Sequence, residues 1–100
     1  MKIVRVEDLH ADGGWRTISF LKLVTDEGLV GWSEFNETSW NPGLTAVIRS
    51  LGEGLLGRDP RAFARIGADL RAQTRMAPGG LVDQAIAAIE NACLDIAAKA

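Results

Sequence analysis

The sequence predicts an α+β domain: a three-stranded antiparallel β-meander followed by a bundle of about three α-helices. Three observations lead there. The first third of the chain is rich in β-branched and aromatic residues, as half-buried strands require. A turn signal, Asp26-Glu27-Gly28, separates two of these runs and marks a hairpin. From about residue 41 onward the apolar spacing changes from two to 3.6, with proline and glycine between the segments. Strands followed by helices place the helices on one face of the sheet.

The hairpin organises the rest. Ile18-Ser19-Phe20-Leu21-Lys22-Leu23-Val24-Thr25 forms its first strand, and Leu29-Val30-Gly31-Trp32-Ser33-Glu34-Phe35 returns as the second. In the returning strand Val30, Trp32 and Glu34 share one face, and Leu29, Gly31, Ser33 and Phe35 the other. Gly28 supplies the positive φ of the turn. Gly31 inside a strand predicts a bulge or a close approach to the backbone. A hairpin alone is marginal in water, so a third strand near residues 2–10 completes the meander, with strands near 17–25 and 29–35. Residues 10–16, with two glycines and Trp15, read as a loop, and residues 36–42, with Glu37, Thr38, Ser39 and Trp40, as another.

Helices are expected near 43–51, 60–74 and 81–100. Asn41 and Pro42 suit a cap and first turn, ahead of an apolar face of Leu44, Val47, Ile48 and Leu51. Asp59-Pro60 repeats that start before Phe63, Ile66 and Leu70. The third helix carries Val82, Ile86, Ile89, Cys93 and Ile96, with Ala85, Ala88 and Ala92 keeping its flank small. It reaches Ala100 without a stop signal, so the sequence is expected to continue.

Composition narrows the function classes. One hundred residues at 47% hydrophobic content make one domain with a real core. A net charge of −2 gives no electrostatic case for nucleic acid or an anionic membrane. One cysteine and one histidine make neither an internal disulfide nor a structural zinc site. No apolar run approaches a membrane span. Met1-Lys2-Ile3-Val4-Arg5 enters a strand pattern without a signal-peptide core, and a soluble, cytoplasmic protein is expected.

The candidate motifs for chemistry are weak. Gly52-Glu53-Gly54-Leu55-Leu56-Gly57 spells the dinucleotide fingerprint, but it follows a helix instead of opening one, and reads as a helix stop. Gly31-Trp32-Ser33-Glu34-Phe35 lacks the last glycine of a nucleophile elbow, and its serine lies mid-strand. The carboxylates are scattered over turns, caps and solvated faces. Cys93 falls on the apolar stripe and reads as inert core. His10, at a strand end, suits a hydrogen-bonded or solvated role better than a substrate contact. Trp15 and Trp40, on polar loops either side of the hairpin, raise the prospect of a shared recognition surface.

The order of three segments is then informative. The Met-Lys-Ile start leading to Thr25-Asp26-Glu27-Gly28-Leu29-Val30-Gly31-Trp32-Ser33-Glu34, the Leu55-Leu56-Gly57-Arg58-Asp59-Pro60 segment, and the helix Ala88-Ile89-Glu90-Asn91-Ala92-Cys93-Leu94-Asp95-Ile96-Ala97-Ala98-Lys99-Ala100 resemble the N-terminal capping domain of the enolase superfamily, mandelate racemase/muconate lactonizing branch. Leu94 stands where relatives often carry Trp, and Ala97-Ala98 replaces a common Lys-Gly.

That resemblance implies a capping domain over residues 1–100 and a catalytic (β/α) barrel C-terminal to it. In the family the barrel supplies the Lys or His acid/base residues and three carboxylates for Mg²⁺, which stabilises the enediolate formed by proton removal α to a carboxylate. No catalytic or metal-binding residue is therefore assigned within this chain, and alone it is expected to bind Mg²⁺ weakly and catalyse nothing. The resemblance implies that loops matching residues 10–16 and 37–43 close over the barrel and shape specificity, with His10, Trp15, Arg16, Thr38 and Trp40 as the candidate residues. The partners implied are the chain's own barrel, a small carboxylate or acid-sugar substrate and further copies of the chain in a homo-oligomer. Acid-sugar dehydration is the first expectation, then racemisation or cycloisomerisation. The competing reading is a standalone, non-enzymatic interaction module.

Overall fold

Alternation in the first third of the chain becomes a three-stranded sheet in the computed structural model, which describes residues 1–100. Strands β1 (Ile3–Asp12), β2 (Thr17–Thr25) and β3 (Val30–Phe35) pair antiparallel in the order β1-β2-β3. Lys22 lies opposite Trp32 and Leu21 opposite Ser33. Gly28 N–H donates to Thr25 O at 3.2 Å with Gly28 at φ 84°, the left-handed value the turn demands. Ser19, Leu21, Leu23 and Thr25 of β2 point into the core with Gly31, Ser33 and Phe35 of β3. Trp32 stays half-exposed on the outer face, edge-on to Phe20 and under the Lys22 ammonium.

Helices α1 (Leu44–Gly52), α2 (Phe63–Gln73) and α3 (Gly80–Lys99) cover the inner face, with short 3₁₀ turns at Glu53–Leu55 and Pro60–Ala62. Helix α3 is the centre of the layer and touches β3, α1 and α2. Its Ile86, Ile89, Cys93 and Ile96 are wholly buried, and so are the small Ala85, Ala88 and Ala92. Small residues let backbone meet backbone. A Cβ added at Gly31 would overlap the Ala92 carbonyl oxygen and stand 2.5 Å from Ile96 Cγ1. The strand glycine therefore marks helix-on-strand contact, and no register shift interrupts β3.

Polar groups of α3 finish what the apolar contact begins. Ser33 Oγ donates to Ala88 O at 2.7 Å inside the interface. Strand β3 is an edge strand, and α3 blunts that edge. Trp32 N donates to Asp95 Oδ2 at 2.9 Å, and Lys99 Nζ to Val30 O at 2.8 Å. The Lys99 ammonium, followed by the Trp32 N–H, holds the Asp95 carboxyl below the usual carboxylate range. Burial pushes the Cys93 thiol up to about 12, so it is core and not nucleophile.

Two local expectations are corrected. The loop expected from residue 10 begins later, because the ladder continues through His10–Ser19, Ala11–Ile18 and Asp12–Thr17. The turn that remains is residues 13–16, closed by Gly13 N–H to Arg16 O and by Gly14 N–H to Asp12 Oδ1. Asn41 does not cap α1, since Gly43 at φ 93° precedes the helix and Glu37 takes the free amides. Asp59 does act as expected, accepting from Arg61 N at 3.0 Å ahead of Pro60, although the turn it starts is 3₁₀ before α2 proper.

Candidate functional site

A three-stranded meander returns alternate connections to the same end. The β1–β2 turn (residues 13–16) and the β3–α1 connection (residues 36–43) thus meet, although the sequence separates them by the whole hairpin. Arg16 joins them. Its Nη2 donates to Glu34 Oε1 at 3.2 Å and its Nη1 to Asn36 Oδ1 at 3.3 Å. The same guanidinium lies 5.1 Å from the Trp15 ring centroid, a cation–π contact. Trp15 is 86% exposed and Trp40 93% exposed. An indole carries some 200 Å² of mostly apolar surface, and neither ring is covered by this domain.

The second loop is held from within. Asn41 Oδ1 accepts from Thr38 N at 2.6 Å and from Thr38 Oγ1 at 2.8 Å, while Trp40 N donates back to Thr38 Oγ1 at 3.1 Å. Asn41 Nδ2 donates to Asn36 O at 2.7 Å and to Gln84 Oε1 of α3 at 2.8 Å. Glu37 accepts from Gly43 N at 3.3 Å and from Thr45 N, which fixes the loop to the α1 terminus. The Thr45 amide, the largest influence, draws the Glu37 carboxyl below its ordinary value. Trp40 thus projects from an ordered turn.

His10 is already occupied. Its Nδ1 lies 2.8 Å from Ser19 Oγ and its Nε2 2.7 Å from Asp8 Oδ2. Asp8 in turn receives Arg49 Nε at 2.7 Å and Nη2 at 2.8 Å. The Arg49 guanidinium, foremost, lowers the Asp8 carboxyl's pKa. The order Ser19, His10, Asp8 imitates a nucleophile relay, but Ser19 is only 3% exposed and points into the core.

Two hollows flank these elements. The larger, about 460 Å³, lies over Leu9, His10, Ala11, Phe20 and Trp32. It is apolar apart from His10, whose two ring nitrogens are engaged by Ser19 and Asp8. The smaller, about 230 Å³, sits between the end of β3, the start of α1 and α3, with Glu34, Asn36, Gln84 and Asn91 on its walls. It lies against the loop end of the sheet and shares Glu34 and Asn36 with the Arg16 contact.

The residues present do not fit a Mg²⁺ site. A hard cation needs several convergent oxygens, and no three Asp, Glu, His or Cys groups are gathered anywhere in the fold. Asp8, Asp59, Asp69, Glu90 and Asp95 are each taken up by an arginine or lysine.

Comparison with known proteins decides the family. Residues 13–100 match the model of the mandelate racemase / muconate lactonizing enzyme N-terminal domain. The chain belongs to that family. The D-galactonate dehydratase of Variovorax paradoxus (strain S110) is 32% identical over 100 residues, covering 100% of this chain and 25% of that protein. Among solved structures, one from Burkholderia xenovorans strain LB400, provisionally assigned as an L-alanine-DL-glutamate epimerase, superposes with a TM-score of 0.95 at 50% identity, over 99% of this chain and 25% of that one. The same protein has been solved bound to magnesium and fumarate. An enolase from Agrobacterium radiobacter, provisionally assigned as a galactarate dehydratase and bound to sodium and L-malate, gives 0.88 at 31% identity over 99% and 25% of the two chains. The chain spans about a quarter of the length of the relatives it matches.

As a mandelate racemase / muconate lactonizing enzyme N-terminal domain, the chain brings Trp15, Arg16, Thr38 and Trp40 to one end of the sheet. His10 lies just beneath, with both nitrogens engaged. Sequence reasoning missed Asn41 and Glu37 as the residues that shape the second loop, and Asp8 and Arg49 beside His10. Asn41-Pro42 carried a signal, but it reads equally as a helix cap. Arg49 sits 41 positions from Asp8, a pairing no local pattern announces.

Proposed function

We propose that this chain is the lid of a longer Mg²⁺-dependent enzyme that removes the proton α to a carboxylate, and that the enzyme dehydrates an acid sugar. One observation carries the proposal. Two ordered loops converge at one end of the sheet, and each holds an almost fully exposed tryptophan. Such surface calls for a partner. The length of the relatives supports a catalytic (β/α) barrel outside these residues as that partner, and the barrel, not this chain, would hold the metal. Closing the loops over a small carboxylate would exclude water and leave Trp15, Trp40 and Arg16 facing the substrate. The magnesium, fumarate and L-malate of the structural relatives are in keeping with such a substrate.

Dehydratases among the relatives favour loss of water, in which the α-proton and the β-hydroxyl leave and the resulting enol becomes a 2-keto-3-deoxy acid. Epimerisation is the second reading, favoured by the 50% identity to the Burkholderia protein. There the proton returns to the opposite face and no ketone forms. Incubating the full-length protein with Mg²⁺ and a panel of acid sugars and dipeptides in D₂O separates the two. Dehydration is expected to give a semicarbazide-reactive ketone with at least one acid sugar, and chelation is expected to abolish it. Deuterium at Cα without ketone would establish the second reading, and neither ketone nor exchange with any compound would refute both.

A further inference from the structure

We propose that His10 is a positioning residue that couples the two loops. The proposal uses the lid reading only for its kinetic consequence. Each loop has two stems; three of the four meet this imidazole directly, and the fourth reaches it through Asp8. Asp8 and His10 lie in the strand that enters the first loop, and Ser19 lies in the strand that leaves it. Phe35, the last residue before the second loop, meets the imidazole edge-on, with centroids 6.0 Å apart and planes at 89°. Arg49, on the helix that follows the second loop, grips Asp8 through two nitrogens.

The chemistry allows little slack. An ionised Asp8 only accepts, so Nε2 carries the hydrogen between them, and Nδ1 and the Ser19 hydroxyl share one hydrogen. Ser19 is 3% exposed, and the Asp8 side chain 10%. The Ser19 hydroxyl depends on the ring because water does not reach it freely, whereas Asp8 also holds its two Arg49 bonds. Loss of the ring frees a buried hydroxyl, takes one of three hydrogen bonds from the Asp8 carboxylate and removes the edge contact on Phe35. A strand residue with only local duties would disturb the first loop. This arrangement transmits the loss to the second as well, through Phe35 on one side and Asp8–Arg49 on the other.

Amide hydrogen exchange on the full-length protein tests this, with His10→Ala and Ser19→Ala as variants. At least one is expected to speed exchange about tenfold in both residues 13–16 and residues 36–45, the cost of a lost buried hydrogen bond, with Phe63–Gln73 unchanged. Ser19→Ala removes a single oxygen and serves where His10→Ala loosens the whole domain. The coupling is overturned if each variant loosens residues 13–16 alone, loosens nothing, or loosens α2 equally. If both loops loosen while kcat/KM stays at the parent value, the coupling stands and the lid reading falls.

Discussion

Trp15→Ala and Trp40→Ala are each expected to lower kcat/KM of the full-length enzyme by tens to hundreds of fold, with little change in melting temperature. A tryptophan side chain closed into a substrate pocket contributes on the order of 2–4 kcal/mol, and about 1.4 kcal/mol is a factor of ten in rate. Stability should hardly move, because at 86% and 93% exposure neither indole supports the core from which its loop emerges. The Trp40 turn is held instead by the Thr38–Asn41 bonds and by Asn41 to Gln84, none of which involves the indole. The loss should differ among acid sugars, since a ring that lines the pocket discriminates by shape. Kinetics over the substrate panel beside thermal melts give the answer. Unchanged kinetics in both variants, or a loss that follows unfolding, would make these tryptophans ordinary surface.

The second large effect falls on the fold itself. Gly31→Ala is expected to destabilise the domain by at least about 3 kcal/mol, at the upper end of what overpacking costs. The new methyl would meet the Ala92 carbonyl oxygen, a backbone atom inside a helix that cannot turn aside as a side chain can. Helix α3 must then lift from β3, stretching Ser33–Ala88 and Trp32–Asp95 together. For a domain of this size the shift corresponds to a melting temperature lower by roughly 12–24 °C. Gly54→Ala is the matched control, because nothing lies within 4 Å of the added carbon. Equal melting temperatures for the two variants would contradict the packing described for β3 and α3.

The meander and the helix stripes were legible because each is written locally. Alternation, the Asp26-Glu27-Gly28 turn and the 3.6-residue spacing all lie within one element or one connection. Gly31 was legible as a puzzle, and its answer required Ala92 to arrive from 61 positions away. Other features were out of reach for the same reason. Asn41 looked like a cap because Asn-Pro is good cap chemistry, whereas Glu37 wins the α1 amides by folding back from an ordered loop. His10 was expected at a strand end but lies within β1, where Ser19 comes to it from β2 and Arg49 of α1 bonds its partner Asp8. Trp15 and Trp40 stood out as apolar residues on polar loops, and only the meander topology brings those loops to one end.

The central claim is that these two loops form a lid over a carboxylate substrate. A crystal structure of the full-length protein with Mg²⁺ and a slowly reacting acid sugar tests it most directly. The lid account predicts Trp15 or Trp40 within about 4 Å of the bound sugar, the distance of van der Waals contact. Arg16 is then expected on the same side, with the loop end of the sheet facing the metal. A sugar bound and enclosed with residues 13–16 and 36–43 both pointing to solvent would contradict it.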